Sequence, residues 1–271
     1  GRLAETGLEV ARVPSEPVET LAERLAATID ERTAAALCSS VLFQSARIVP
    51  NLAAVATACA RHGAEFLIDA YHHLNVVPFS FAGIESAFIV GGGYKYCQLG
   101  EGVCFLRVPP DCRLRPVLTG WFAEFDALAQ TNDGGIAYGQ GAPRFAGATY
   151  DPVSHYRAAA VFGYFRERGL TPGLLREVSQ HQVGLLASSF DSLDLDPALV
   201  RRDRDVSLKE IGGFLTLQSP RAGEICTALK ARRVFTDHRG EALRLGPAPY
   251  LSDDQLRAAI AELAEVCRQA G

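Results

Sequence analysis

Between Leu8 and Ile68 the chain alternates between two kinds of apolar pattern, and this alternation restricts the fold more than any other feature. Leu8–Val13, Ala35–Phe43 and Phe66–Ile68 are short segments rich in apolar residues and read as strands. Between the first two, Leu21, Leu25 and Ile29, with Val18 one turn earlier, line one face of a helix entered after Pro17. Between the second and third, Asn51 caps a helix running to about Arg61, and Gly63 ends it. Strand, helix, strand, helix, strand predicts a largely parallel sheet, because consecutive parallel strands need a crossover and a helix supplies it.

Beyond this unit the rhythm changes. From Gly83 to Val108 short apolar runs follow one another without helices. Leu118–Asp126 is an aromatic-rich loop, and Gly134–Thr149 is a long irregular segment of the kind that lines sites. Pro152–Arg168 reads as a helix with Tyr156, Ala160 and Tyr164 on one face, ended by Gly169. A domain boundary is expected there, dividing residues 1–168 from 169–271. The second part mixes helices (Leu174–Leu186, Pro220–Lys230, Asp253–Cys267) with short strands (Gly212–Gln218, Leu243–Leu245) and a further segment, Val234–Asp237. A small α+β domain is the expectation.

At 271 residues and 48% hydrophobic content the chain can bury a full core. Its net charge of −4 and lack of a basic block argue against nucleic acid as a partner. No apolar run reaches about 18 residues, the length needed to span a bilayer. Seven cysteines without a CxxC pair suggest reduced thiols and a cytoplasmic setting. The chain has no methionine and opens on a segment that reads as the interior of a domain, so a portion of a longer protein is expected.

Chemistry-bearing residues gather where the apolar runs end. Phe66–Ile68 delivers Asp69, and His72 follows three residues later. Ala87–Val90 empties into Gly91, Gly92, Gly93, Tyr94, Lys95 and Tyr96. Polar groups at strand exits are how α/β sheets build sites. Lys95 is either a solvated loop lysine or an amine tuned to form a Schiff base. Asp69 either caps a turn or pairs with a cation such as a protonated pyridine nitrogen. His72 is either a core ring or a neighbour of the same ligand. Tyr94 either packs or donates its hydroxyl to a phosphate. Trp121, the only tryptophan, contacts either a cofactor or a partner chain. Arg244 either clamps a carboxylate or forms a surface ion pair, and Asp237 and Arg239 form a possible structural pair of their own. GGGYK lacks the GxxxxGK[ST] spacing of a phosphate-binding loop, and His72 and His73 with Asp69 have no third well-spaced partner for a metal.

These residues resemble a known set. Asp69-Ala70-Tyr71-His72, followed by Gly93-Tyr94-Lys95-Tyr96 with Lys95 26 residues after Asp69, is similar to the class V aminotransferase superfamily of pyridoxal-phosphate enzymes, and to kynureninases within it. Gly120-Trp121-Phe122, Arg144-Phe145, Thr149-Tyr150-Asp151-Pro152, Asp237 to Arg239 and Leu243 to Pro249 extend the resemblance over most of the chain. It implies a fold type I large domain with a mainly parallel sheet, present in part, and a small C-terminal α+β domain. It also implies pyridoxal 5'-phosphate as cofactor, an amino-acid substrate with an α-carboxylate, and a homodimer. Lys95 would be the Schiff-base lysine and proton shuttle, and Asp69 the partner of the pyridine nitrogen. His72 would lie near the cofactor ring, Tyr94 would bind the phosphate, and Trp121 or Phe122 would reach phosphate or substrate. Arg244 would hold the α-carboxylate. Thr149 stands where kynureninases carry a substrate-contacting asparagine, and the family's N-terminal part has no counterpart in the sequence. The resemblance implies kynureninase-like C–C cleavage, with transamination or C–S β-elimination as alternatives. A non-catalytic homologue acting as scaffold or dimer partner is the reading from a different class.

Overall fold

A computed structural model of the chain describes residues 5–129 and 134–270. Its first sheet contains β1 (Ala35–Ser39), β2 (Glu65–Asp69), β3 (Phe88–Gly92) and β4 (Cys104–Arg107), in that spatial order. β1, β2 and β3 run parallel, and β4 closes the sheet antiparallel to β3. The crossover between β1 and β2 is α2 (Leu52–His62). Before β1 lies α1 (Leu21–Ala27), entered through a 3₁₀ turn at Val18–Thr20. Both helices pack on one face of the sheet. Val18, Leu21, Val55 and Cys59 meet Ala36, Cys38, Phe66, Ile68 and Ile89 in a buried cluster. The opposite face is less covered: Leu37 is 64% exposed and Leu106 38%.

Two local expectations are corrected. Leu8–Val13 is not a strand. A segment with alternating apolar residues becomes a strand only where a neighbour pairs with its backbone, and no strand lies beside this one among the described residues. Asn51 does precede α2, but its side chain makes no capping hydrogen bond. It takes a left-handed conformation (φ 55°) instead, which asparagine tolerates. Gly63 ends α2 in the left-handed region (φ 69°), as its position implied.

The second half begins with α3 (Val153–Glu167), of which only Ala158 is buried. The face carrying Tyr156 and Tyr164 is exposed. In α4 (Pro172–Asp191), Thr171 accepts a hydrogen bond from the Leu174 amide and Pro172 occupies the first turn, a well-made N-terminus. A three-stranded antiparallel sheet follows in the order β5 (Leu215–Gln218), β7 (Ala242–Leu245), β6 (Asp237–Arg239). α5 (Ala222–Ala231) and α6 (Asp253–Ala270) complete the unit. Its core joins Val183, Leu186 and Phe190 of α4 to Leu217, Leu243, Ile225, Ile260 and Leu263. The architecture is therefore an α/β portion with a mixed, mainly parallel sheet, followed by a smaller α+β portion. Backbone bonds tie the two together: Gly212 N–H donates to Ala46 O at 2.8 Å and Ile48 N–H to Glu210 O at 2.9 Å.

Candidate active site

The site lies where β2 and β3 end. In a parallel pair both strands present their carboxyl ends on the same edge, so Asp69 at the end of β2 and the turn after Gly92 of β3 come out side by side. The turn is closed on itself: Gly93 N–H donates to Val103 O at 2.7 Å, and Leu99 N–H donates back to Gly93 O at 2.9 Å. Lys95 stands within it. The glycines before Lys95 have a different use from the one the sequence suggested. A Cβ on Gly92 would lie 2.3 Å from the Tyr71 ring and one on Gly91 2.6 Å from Phe105. The close approach these glycines permit is to protein side chains rather than to a ligand.

Asp69 is half-buried and oriented from both sides. One carboxylate oxygen accepts from the Ser39 hydroxyl at 2.9 Å, the other from the Tyr71 amide at 2.9 Å. Each oxygen keeps a further lone pair for another donor.

His72 is buried, its ring edge-on to Phe214 at 5.5 Å and to Tyr96 at 6.2 Å between centroids. Its Nδ1 has no hydrogen-bond partner among the described residues. Burial first, then the positive charges of Lys95 and Arg244, push its pKa down to about 4, against weaker opposing effects from Asp69 and Asp237. The ring is neutral at physiological pH. Lys95 is also depressed, by burial first and Arg244 second, which increases the share of free amine.

A stability consequence follows from His72. Its folded pKa is below the ordinary value of 6.5, so the unfolded chain takes up the proton first as pH falls. The contribution is complete above pH 6.5 and is lost as pH drops toward 4. Urea midpoints measured across this window should fall less steeply for His72→Phe than for the parent chain.

Arg244 is buried on β7, directly opposite Asp237 of β6 in the sheet register. Its Nε donates to Asp237 Oδ1 at 2.6 Å, its Nη2 donates to Asp237 Oδ2, and its Nη1 donates to Phe43 O. The guanidinium also sits 5.3 Å from the Phe214 ring centre. This corrects the reading of Arg244 as a surface ion pair, since the pair it forms is buried on its side, and it adds Arg244 to the pairing expected of Asp237 with Arg239. Arg239 approaches Asp237 only to 3.8 Å, and Arg244 is its main partner. The Arg244 guanidinium holds the Asp237 carboxyl below its usual range.

An open cleft of about 300 Å³ is lined by His72, Lys95, Tyr96, Phe214, Thr236, Asp237 and Arg244 among others. It thus brings His72, Lys95 and Arg244 together, with Asp69 close enough to act electrostatically on both His72 and Lys95. Tyr94 is partly exposed beside Tyr71, with the Lys95 amine 5.4 Å from its ring centre. Trp121, Phe122 and Thr149 do not line the cleft. Trp121 is 44% exposed within an aromatic group of Phe122 and Phe125, in 3₁₀ turns (Trp121–Ala127) rather than a loop, and Thr149 is exposed. Phe214 and Thr236 were missed. The signals available were the Gly212-Gly213 pair before β5, where a Cβ on Gly213 would lie 2.6 Å from Tyr96, and the position of Thr236 directly before Asp237.

No family model matches the chain. It is 28% identical over 254 residues to a kynureninase of Bacillus cereus, covering 88% of this chain and 56% of that protein. It is 25% identical over 221 residues to the uncharacterized aminotransferase YcbU of Bacillus subtilis, covering 80% of this chain and 55% of that protein. The chain spans about half the length of these relatives. In fold it resembles the cystine C-S lyase C-DES, solved with its product cysteine persulfide, at a TM-score of 0.75 and 19% identity, covering 90% of this chain and 64% of the other.

Proposed function

We propose, for a chain whose fold and sequence relatives are those of the class V aminotransferase superfamily of fold type I, that it carries the lysine-bearing half of a pyridoxal-phosphate-dependent active site acting on an amino acid. The observation that carries this reading is the convergence of Asp69 and Lys95 past the adjacent carboxyl ends of parallel strands, with the neutral His72 ring near enough to feel both charges.

The residues fit the cofactor. Lys95 offers a partly desolvated amine to its aldehyde, and Asp69 offers an oriented carboxylate with spare lone pairs to its ring N–H. His72 offers an Nδ1 without a partner among the described residues. Tyr94 is proposed to meet the phosphate, and Trp121 to reach it from the aromatic group. When bound, pyridoxal phosphate supplies a protonated ring that accepts the electron pair left at the substrate Cα. Asp69 keeps the proton on the ring nitrogen. Lys95 would take the proton from Cα as a free amine, a form its lowered pKa favours. Arg244 receives the α-carboxylate and so aligns the Cα–H bond. Phe122 and Thr149 are proposed substrate contacts, made in an assembled homodimer.

Within this chemistry, kynureninase-like hydrolysis of a C–C bond is the favoured outcome, supported by the kynureninase relatives. Incubation of the protein and pyridoxal phosphate with L-kynurenine, followed by chromatography, should give alanine and an aromatic acid in equal amounts. A 2-oxo acid instead would move the reading to transamination. No product from kynurenine, together with sulfide or persulfide from cystine, would move it to C–S lysis.

A further inference from the structure

The Asp237–Arg244 pair has no place in the scheme above, which asks Arg244 to bind a carboxylate while the structure shows it already holding one. The donor count resolves the conflict. A guanidinium has five N–H groups. Asp237 takes the Nε–H and one Nη2–H, and Phe43 O takes one Nη1–H. Among the described residues one N–H is left on each terminal nitrogen, which is the number a second carboxylate needs for a bidentate contact.

The surroundings favour that second carboxylate. Arg244 is buried and lines the cleft, so its remaining donors belong to a group with little access to bulk water. The Arg244 guanidinium, with Arg239 and Lys95 after it, holds the Asp237 carboxyl below its usual range, so the carboxylate stays ionised against the guanidinium edge it occupies. The pairing is also set by the backbone. Asp237 and Arg244 are register partners across β6 and β7, so the contact follows from the sheet rather than from a loop conformation.

We infer that Asp237 is a positioning residue: it fixes the plane of Arg244 through one edge of the guanidinium so that the two remaining N–H groups are presented to the α-carboxylate of an amino acid. This rests on the reading of Arg244 as the carboxylate receptor of the proposed site. It makes Asp237 a determinant of carboxylate recognition without contact to substrate.

The test compares L-alanine with L-alaninamide, which differ only at the group Arg244 would hold, by calorimetric titration into the whole protein loaded with pyridoxal phosphate. The parent chain should prefer L-alanine. Asp237→Asn keeps the size but turns an NH₂ toward one guanidinium N–H, and it should reduce that preference about tenfold. Asp237→Glu keeps the carboxylate and should restore much of it. A merely structural role would lower the melting temperature of Asp237→Asn and leave the ratio of the two affinities unchanged, which would overturn the inference. Tighter binding of L-alanine by Asp237→Asn would overturn it as well, because Asp237 would then be a competitor for Arg244. A parent chain without any preference would remove Arg244 as the receptor and the inference with it. Failure of the Lys95 reading shows separately, as absence of borohydride-stable cofactor on Lys95.

Discussion

Replacing Lys95 with alanine is expected to abolish borohydride-stable incorporation of pyridoxal phosphate into the cleft and to remove turnover. The chain has only three lysines, Lys95, Lys209 and Lys230. Lys209 and Lys230 are exposed, whereas Lys95 is part-buried in the cleft with its amine depressed by burial and by Arg244. A depressed amine is the more nucleophilic at neutral pH because more of it is unprotonated. Loss of proton transfer alone costs about 10²–10⁴-fold in rate, and loss of the covalent anchor adds to that. The fold should survive, because Lys95 makes no side-chain hydrogen bond or ion pair recorded among the described residues. An unchanged circular dichroism spectrum with no cofactor label is the expected combination.

Replacing Arg244 with alanine is expected to act on both stability and binding. The change strands the Phe43 carbonyl, leaves Asp237 without its main partner, and opens a void against Phe214. Breaking a charge-assisted network of this kind costs roughly 3–5 kcal/mol where it is buried. Asp237 is half-exposed and can be rehydrated, so the lower end is expected here, read as a shift in urea midpoint. For a carboxylate substrate, removing the buried partner should cost roughly 2–5 kcal/mol in affinity, seen mainly as a raised KM. Arg244→Lys keeps the charge and loses the planar fork, so it should recover stability better than affinity.

The parts of this molecule that could be read from the sequence are those set by local pattern. Asp69 was legible because it directly follows a short apolar run, and Lys95 because it stands in the glycine turn that the next run empties into; runs of that length in an alternating β/α context have their exits at the sheet edge. Gly63 was legible because a helix end needs a left-handed residue. Long-range registration was not. Nothing in the run Val103–Val108 indicates that β4 turns back antiparallel to β3. Asp237 and Arg244 were both noticed, but their pairing depends on which residues face each other across β6 and β7, and the nearer Arg239 was the natural guess. Leu8–Val13 failed for the complementary reason, since its composition suits a strand but the fold offers no edge beside it among the described residues. Trp121 illustrates a third limit. Its rarity drew attention, yet within this chain it packs with Phe122 and Phe125, away from the cleft.

The central claim is that Lys95 is the residue on which a pyridoxal-phosphate site is built. The most direct measurement is to saturate the purified protein with pyridoxal phosphate, reduce it with borohydride, digest it and locate the label by mass spectrometry. The account predicts one label per chain, on the peptide containing Tyr94-Lys95-Tyr96, with Lys209 and Lys230 unmodified. Equal labelling of all three lysines, or none on Lys95, would contradict it.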